Sequence, residues 1–260
     1  MKLFFSVLIL SLFLQITNAQ QFVLVDSIST ENKLIKSIET DLNNSIYLIS
    51  DTKVEKLYQH KKPKLIDFKS IITSVDTGNP LRFYIYSNFN RLSILDEDLN
   101  PIQDPVIISS TDYIPSALKV ADNQFCWFYD MMNNKIVYYN YQIQKTILHS
   151  KQVFLKNNDQ SIETIYVFKN TVYLKGKNTI YVYDDYGNLK TNFSIEVENS
   201  PYHFYKNALF YSKNNKLYSL NLENQNLTSL IDLKETKSIA MNETNFYSFN
   251  GRKIYIYTVN

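Results

Sequence analysis

The sequence predicts an all-β, six-bladed β-propeller. Three observations point to it: a short strand motif recurs roughly every 40 residues, the middle strands of each repeat are apolar on both faces, and the last repeat lacks an outer strand that the N-terminal region can supply.

The recurring strand reads Ser45-Ile46-Tyr47-Leu48-Ile49-Ser50, then Leu81 to Tyr86, Gln124 to Tyr129, Thr171 to Lys175, Ala208 to Ser212 and Asn245 to Phe249. Steps between first residues are 36, 43, 47, 37 and 37. A second strand follows each after a polar turn, as in Asn178-Thr179-Ile180-Tyr181-Val182-Tyr183 and Asn215-Lys216-Leu217-Tyr218-Ser219-Leu220. From Asn170 to Asn178 and from Asn207 to Asn215 the offset is eight residues, room for a hairpin and not for a helix. A third strand returns through a turn rich in Asp and Asn at Leu95 to Ile102 and at Tyr183 to Lys190, where such residues favour chain reversal.

Runs such as Ile180 to Tyr183 and Ile254 to Tyr257 are apolar at successive positions. A sandwich sheet has one solvated face and would alternate apolar with polar residues, whereas a blade pressed between neighbours is buried on both sides. The sixth repeat ends at Asn260 after its second strand, and Gln21 to Ile28 offers the missing outer strand. Pairing the two would clasp the ring shut and leave no open edge between first and last blades.

Composition agrees. There are 21 Tyr and 16 Phe against only 4 Gly. Aromatic residues suit packed strands, and the abundant Asn tolerates the left-handed conformation that tight turns otherwise assign to Gly.

The N-terminus orders Lys2, an apolar run from Leu3 to Leu14 and a small-residue stretch ending at Ala19, the pattern of a secretory signal peptide. Residues 1–19 are expected to be this signal and 20–260 a single propeller domain, exported to the periplasm or extracellular space, with no transmembrane segment in the mature chain. Loss of Lys2 takes the formal charge from +2 to +1, a balance that gives nucleic acid no basic footprint. Cys126 is the only cysteine, so no intrachain disulfide can form, and its aromatic setting predicts an inert thiol.

The repeated Asn-x-apolar-Tyr strands and Asp-rich hairpins resemble secreted bacterial β-propeller repeat proteins, especially the Asn- and Tyr-rich envelope propellers of Bacteroidetes. The resemblance covers nearly the whole mature chain and implies a periplasmic or extracellular binding or assembly factor. It transfers no functional residue.

No catalytic cluster stands out. Asp96, Asp98 and Asn100 open like a calcium loop, but Pro101 takes the Gly position and no Glu closes the loop, so a hairpin turn is the reading. His60, His149 and His203 each stand alone and read as solvated or edge residues. Two loops are the candidate binding elements. The turn Tyr129 to Asn134 offers Tyr129, Met131 and Met132, and methionine adapts well at binding surfaces. The linker Lys151 to Ser161 offers Asn157, Asn158 and Asp159, placed to overhang one channel mouth. These point to a non-enzymatic interaction module whose partner is an envelope or extracellular protein, with no cofactor. The alternative is a lactonase-like or glycan-active or glycan-binding propeller holding calcium in its channel.

Overall fold

The computed structural model describes residues 21–30, 34–57, 62–108, 112–156, 159–197 and 199–259. The expected signal peptide, His60, Asn157 and Asn158 lie outside them. The described residues contain strands and no helix, hence no helix long and apolar enough to cross a membrane.

Six antiparallel four-stranded sheets form the blades, and in five of them the strands pair in chain order. The innermost strands are Ser37–Thr40, Ile72–Asn79, Pro115–Val120, Thr164–Phe168, Tyr202–Tyr205 and Ser238–Met241. The second strands are Ile46–Ile49, Arg82–Ser87, Phe125–Asp130, Thr171–Lys175, Ala208–Lys213 and Asn245–Phe249. These second strands carry the motif that recurs in the sequence. Each blade therefore has one strand more, on the channel side, than the periodicity alone indicates.

Both faces of the second strands are buried, and the packing shows why. Phe83 and Ile85 pack with Tyr47 and Ile49 of blade 1, while Tyr84 and Tyr86 of the same strand pack with Leu118, Cys126 and Phe128 of blade 3. Alternate residues of a strand point to opposite faces, so one strand feeds two seams. Six apolar clusters result, one for each pair of neighbouring blades, including the pair formed by the last blade and the first. Outer strands such as Lys145–His149 alternate exposed with half-buried residues, as a rim facing water should.

The sixth blade takes its outer strand from the other end of the chain. Phe22–Ser29 pairs antiparallel with Lys253–Val259, from Phe22 opposite Val259 to Ser29 opposite Lys253, with one bulge near Val25. Phe22 is buried and meets Phe246 edge to face at 5.7 Å.

Turn chemistry follows the composition. Asn44, Asn88, Asn134, Asn199, Asn214 and Asn215 all hold positive φ, the work glycine does elsewhere. The Asp96 and Asp184 turns share one hydrogen-bond pattern: Asp96 Oδ1 accepts from the backbone of Asp98 and Asn100, and Asp184 Oδ1 from that of Tyr186 and Asn188. Both carboxyls are held below their ordinary pKa, and the Asp96 loop is a hairpin turn.

Candidate functional site

The two ends of the propeller differ in chemistry. Turns between second and third strands share one end with the connections between blades, and this end carries every described candidate from the sequence. Tyr129 is buried, and its hydroxyl donates to Asn134 Oδ1 at 2.9 Å, bracing the turn from inside. Met131 and Met132 ride on that turn, about half exposed. Asp130 holds it from below, its Oδ1 accepting the backbone N–H of both Met132 and Ile114 at 3.0 Å.

The linker joins the same surface. Val153 N–H donates to Asn134 O at 2.6 Å, tying the linker to the methionine turn. Asp159 is buried, and accepts from Asn178 N–H at 2.7 Å and from the Tyr181 hydroxyl at 3.2 Å, while Lys156 N–H donates to that hydroxyl at 2.5 Å. Its carboxylate thus fastens the linker to blade 4. Gly176 makes this possible, because a Cβ there would fall on the Asp159 carboxylate. Gly176→Ala is expected to unseat Asp159 at a cost of about 1–3 kcal/mol, and faster proteolysis near residue 157 would register the released linker.

Around these anchors lies an apolar arc that sequence reading did not gather. Ile71, Phe89, Ile114, Met131, Met132 and Phe154 are all exposed large apolar residues. Backbone bonds hold their loops together: Asn88 donates to Ile71 O, and Met131 donates to Ile114 O. The arc runs over blades 2 and 3 and onto the linker toward blade 4.

The channel between the innermost strands holds a cluster of a different kind. Strand register places Glu39 opposite Tyr47, Asp76 opposite Tyr84, Lys119 opposite Trp127, Tyr166 opposite Tyr173, His203 opposite Phe210 and Ala240 opposite Tyr247. These six occupy one equivalent position, one per blade. Lys119 Nζ meets Asp76 Oδ1 at 2.7 Å, and His203 Nδ1 lies 3.7 Å from Glu39 Oε2. Blades 5 and 1 flank blade 6, whose residue at this position, Ala240, is buried in the apolar seam with blade 1 and adds no polar group to the cluster.

Desolvation pushes the Glu39 carboxyl up to about 8, with Lys119 pulling it down and Asp76 pushing it further up. Desolvation draws His203 down to about 4, partly opposed by a hydrogen bond to the Met241 backbone and helped by Lys119. His203 is therefore a channel residue rather than a solvated or edge one. These groups line an open cavity of about 720 Å³, walled also by Tyr166, Tyr202, Phe204 and Tyr205. Among the described residues no group of three His, Cys, Asp or Glu side chains is placed to hold a metal ion. Cys126 is fully buried, and burial raises its thiol pKa far above the reactive range.

The architecture makes the chain a six-bladed β-propeller, and comparison of the folds agrees. Virginiamycin B lyase from Staphylococcus aureus superimposes with a TM-score of 0.64 at 13% identity, covering 92% of this chain and all of that one. A streptogramin B lyase structure matches at 0.61 and 11% identity, covering 92% of this chain and 98% of its own. A chain of the Mitotic Checkpoint Complex matches at 0.60 and 8% identity, covering 94% of each. At such identities the likeness is one of fold. No protein-family model matches the sequence, and no curated protein matches it significantly.

Proposed function

We propose that the chain is a non-enzymatic interaction module of the cell envelope or secreted space, which holds an exported protein partner on the end carrying Met131 and Met132. The observation that carries this reading is the apolar arc from Ile71 to Phe154, set on a rigid ring and braced by Tyr129, Asp130 and Asp159. Exposed apolar residues that cluster mark contact sites more often than scattered ones do, and methionine fits irregular partner surfaces. The signal-like N-terminus supports export. A similar fold inside the Mitotic Checkpoint Complex supports the use of such a ring in assembly.

Affinity capture from envelope extracts tests it. The Met131→Ser and Met132→Ser double variant should keep its melting temperature, because both side chains are already half in water, and should lose captured partner by tenfold or more. Equal recovery by variant and parent would overturn the assignment of this face.

A further inference from the structure

The channel cluster lies away from the proposed partner face, and its charges do not balance. Lys119 compensates Asp76 through their 2.7 Å contact, and His203 is neutral near pH 7 because its protonation is suppressed. Glu39 has His203 Nδ1 at 3.7 Å, beyond hydrogen-bonding distance, and ionised it would leave one uncompensated negative charge inside the cavity. Burial favours the neutral carboxyl. A ligand that brings one positive charge would serve the same end and free the proton.

The walls fit such a ligand. Aromatic faces attract organic cations, and two rings at this cavity already do so: Lys175 Nζ sits 4.3 Å from the Tyr202 ring centre and Lys206 Nζ 5.2 Å from that of Tyr205. A divalent metal wants several oxygen ligands, whereas Glu39 stands as a single carboxylate, with Asp76 committed to Lys119. A primary ammonium or guanidinium group needs only one carboxylate, an acceptor nitrogen and aromatic walls.

We propose that the channel binds a small organic monocation, a primary ammonium or a guanidinium, whose N–H groups donate to the Glu39 carboxylate and the imidazole of His203 beside Tyr166 and Tyr202. The other charged or titratable groups of the cavity are Asp76 and Lys119 from the inner strands of blades 2 and 3, Tyr166, Tyr202 and Tyr205 from blades 4 and 5, Asp41, which is held by Lys56 at 3.5 Å and by the Tyr47 hydroxyl at 2.8 Å, and two lysines with carboxylates of their own, Lys36 paired with Asp51 and Lys206 3.3 Å from Glu243. Blade 6 contributes Met241 and Asn242 to the cavity lining, neither of them charged, while Ala240 is buried in the apolar seam with blade 1.

Calorimetric titration of the mature chain tests the site with n-butylguanidinium, n-butylammonium, an acetyl-Gly-Arg-Gly-amide peptide and calcium chloride as probes. Both alkyl cations keep their charge across pH 6.5 to 8.5, so any pH dependence belongs to the protein. One of them should bind, with affinity rising about tenfold between pH 6.5 and 7.5 and flattening above 8, and with a proton released on binding below that point. Glu39→Gln keeps the side-chain shape and should lose at least tenfold in affinity together with the pH dependence. His203→Asn should weaken binding and keep the pH dependence. Binding of the alkyl cations alone identifies a free small molecule as the ligand source, and binding of the peptide as well identifies an arginine of a partner chain. Absence of alkyl-cation binding at millimolar concentration, calcium binding in their place, or unchanged affinity in a Glu39→Gln protein with intact circular dichroism would each overturn the proposal.

Discussion

A chain of residues 20–260 from which residues 22–29 are deleted is expected to lose cooperative unfolding and to associate. This segment is the outer strand of blade 6, reached from the far end of the chain, so its loss opens the ring and also bares the Lys253–Val259 edge. Phe22 alone, buried against Phe246, stands for about 3–5 kcal/mol on truncation to Ala. A whole domain commonly has about 5–15 kcal/mol in reserve, and the strand adds its ladder of backbone bonds and Ile28 at the blade 6 to blade 1 seam. An uncovered strand edge also templates pairing with other chains. Urea denaturation should show Phe22→Ala as a shifted but cooperative transition and the truncation as a broad one, with oligomers on size exclusion. A synthetic peptide spanning residues 21–30 should restore part of the transition when added in trans. A truncated chain that melts like the parent would show that the six seams hold without the clasp.

Those seams were legible in the sequence because their residues are all of one kind. Tyr84 and Phe83 serve opposite faces of the same strand, and a run apolar at every position announces burial on both sides. The N-terminal clasp was legible for a related reason, since a repeat missing one strand and an orphan strand at the other terminus imply each other. The innermost strands were not legible. Segments such as Ser37-Ile38-Glu39-Thr40 and Ser116-Ala117-Leu118-Lys119-Val120 mix polar with apolar residues, because each borders the channel as well as the core, and mixed segments read as linkers. The charged ring went with them. Yet Glu39, Asp76, Lys119, Tyr166, His203 and Ala240 are spaced 37, 43, 47, 37 and 37, almost the period of the recurring strand, seven or eight residues ahead of its aromatic. Carrying the repeat phase backward from Tyr47 or Phe210 would have found them. The exposed arc offered no comparable signal, since Ile71 and Phe154 come to the same end of the ring only through the arrangement of the connections between blades.

The same channel residues should govern how stability depends on pH. Glu39 has its folded pKa raised, from 4.5 to about 8, so its favourable contribution is full below 4.5 and is lost as pH rises toward 8. His203 has its folded pKa lowered, from 6.5 to about 4, so it stabilises above 6.5 and that contribution is lost as pH falls toward 4. Between 4.5 and 6.5 the two slopes oppose one another, the native state holding one extra proton on Glu39 and one fewer on His203. Stability in this interval should be nearly flat. From 6.5 to 8 only Glu39 still acts, and at about 1.4 kcal/mol per pH unit the parent should lose up to about 2 kcal/mol. Glu39→Gln removes that alkaline loss and exposes the His203 term, so the variant should be flat above 6.5 and weaken below it. His203→Asn does the reverse, falling steadily from 4.5 to 8. Asp96 and Asp184, whose carboxyls titrate below their ordinary 3.8, add acid sensitivity only beneath this window. Urea midpoints at half-unit pH steps for the three proteins separate the terms, because the parent curve must bend near 6.5 and each variant must straighten a different limb. Parallel curves for all three would mean that channel water solvates both groups as bulk water does, and that the ring of blades leaves Glu39 and His203 at their ordinary pKa values.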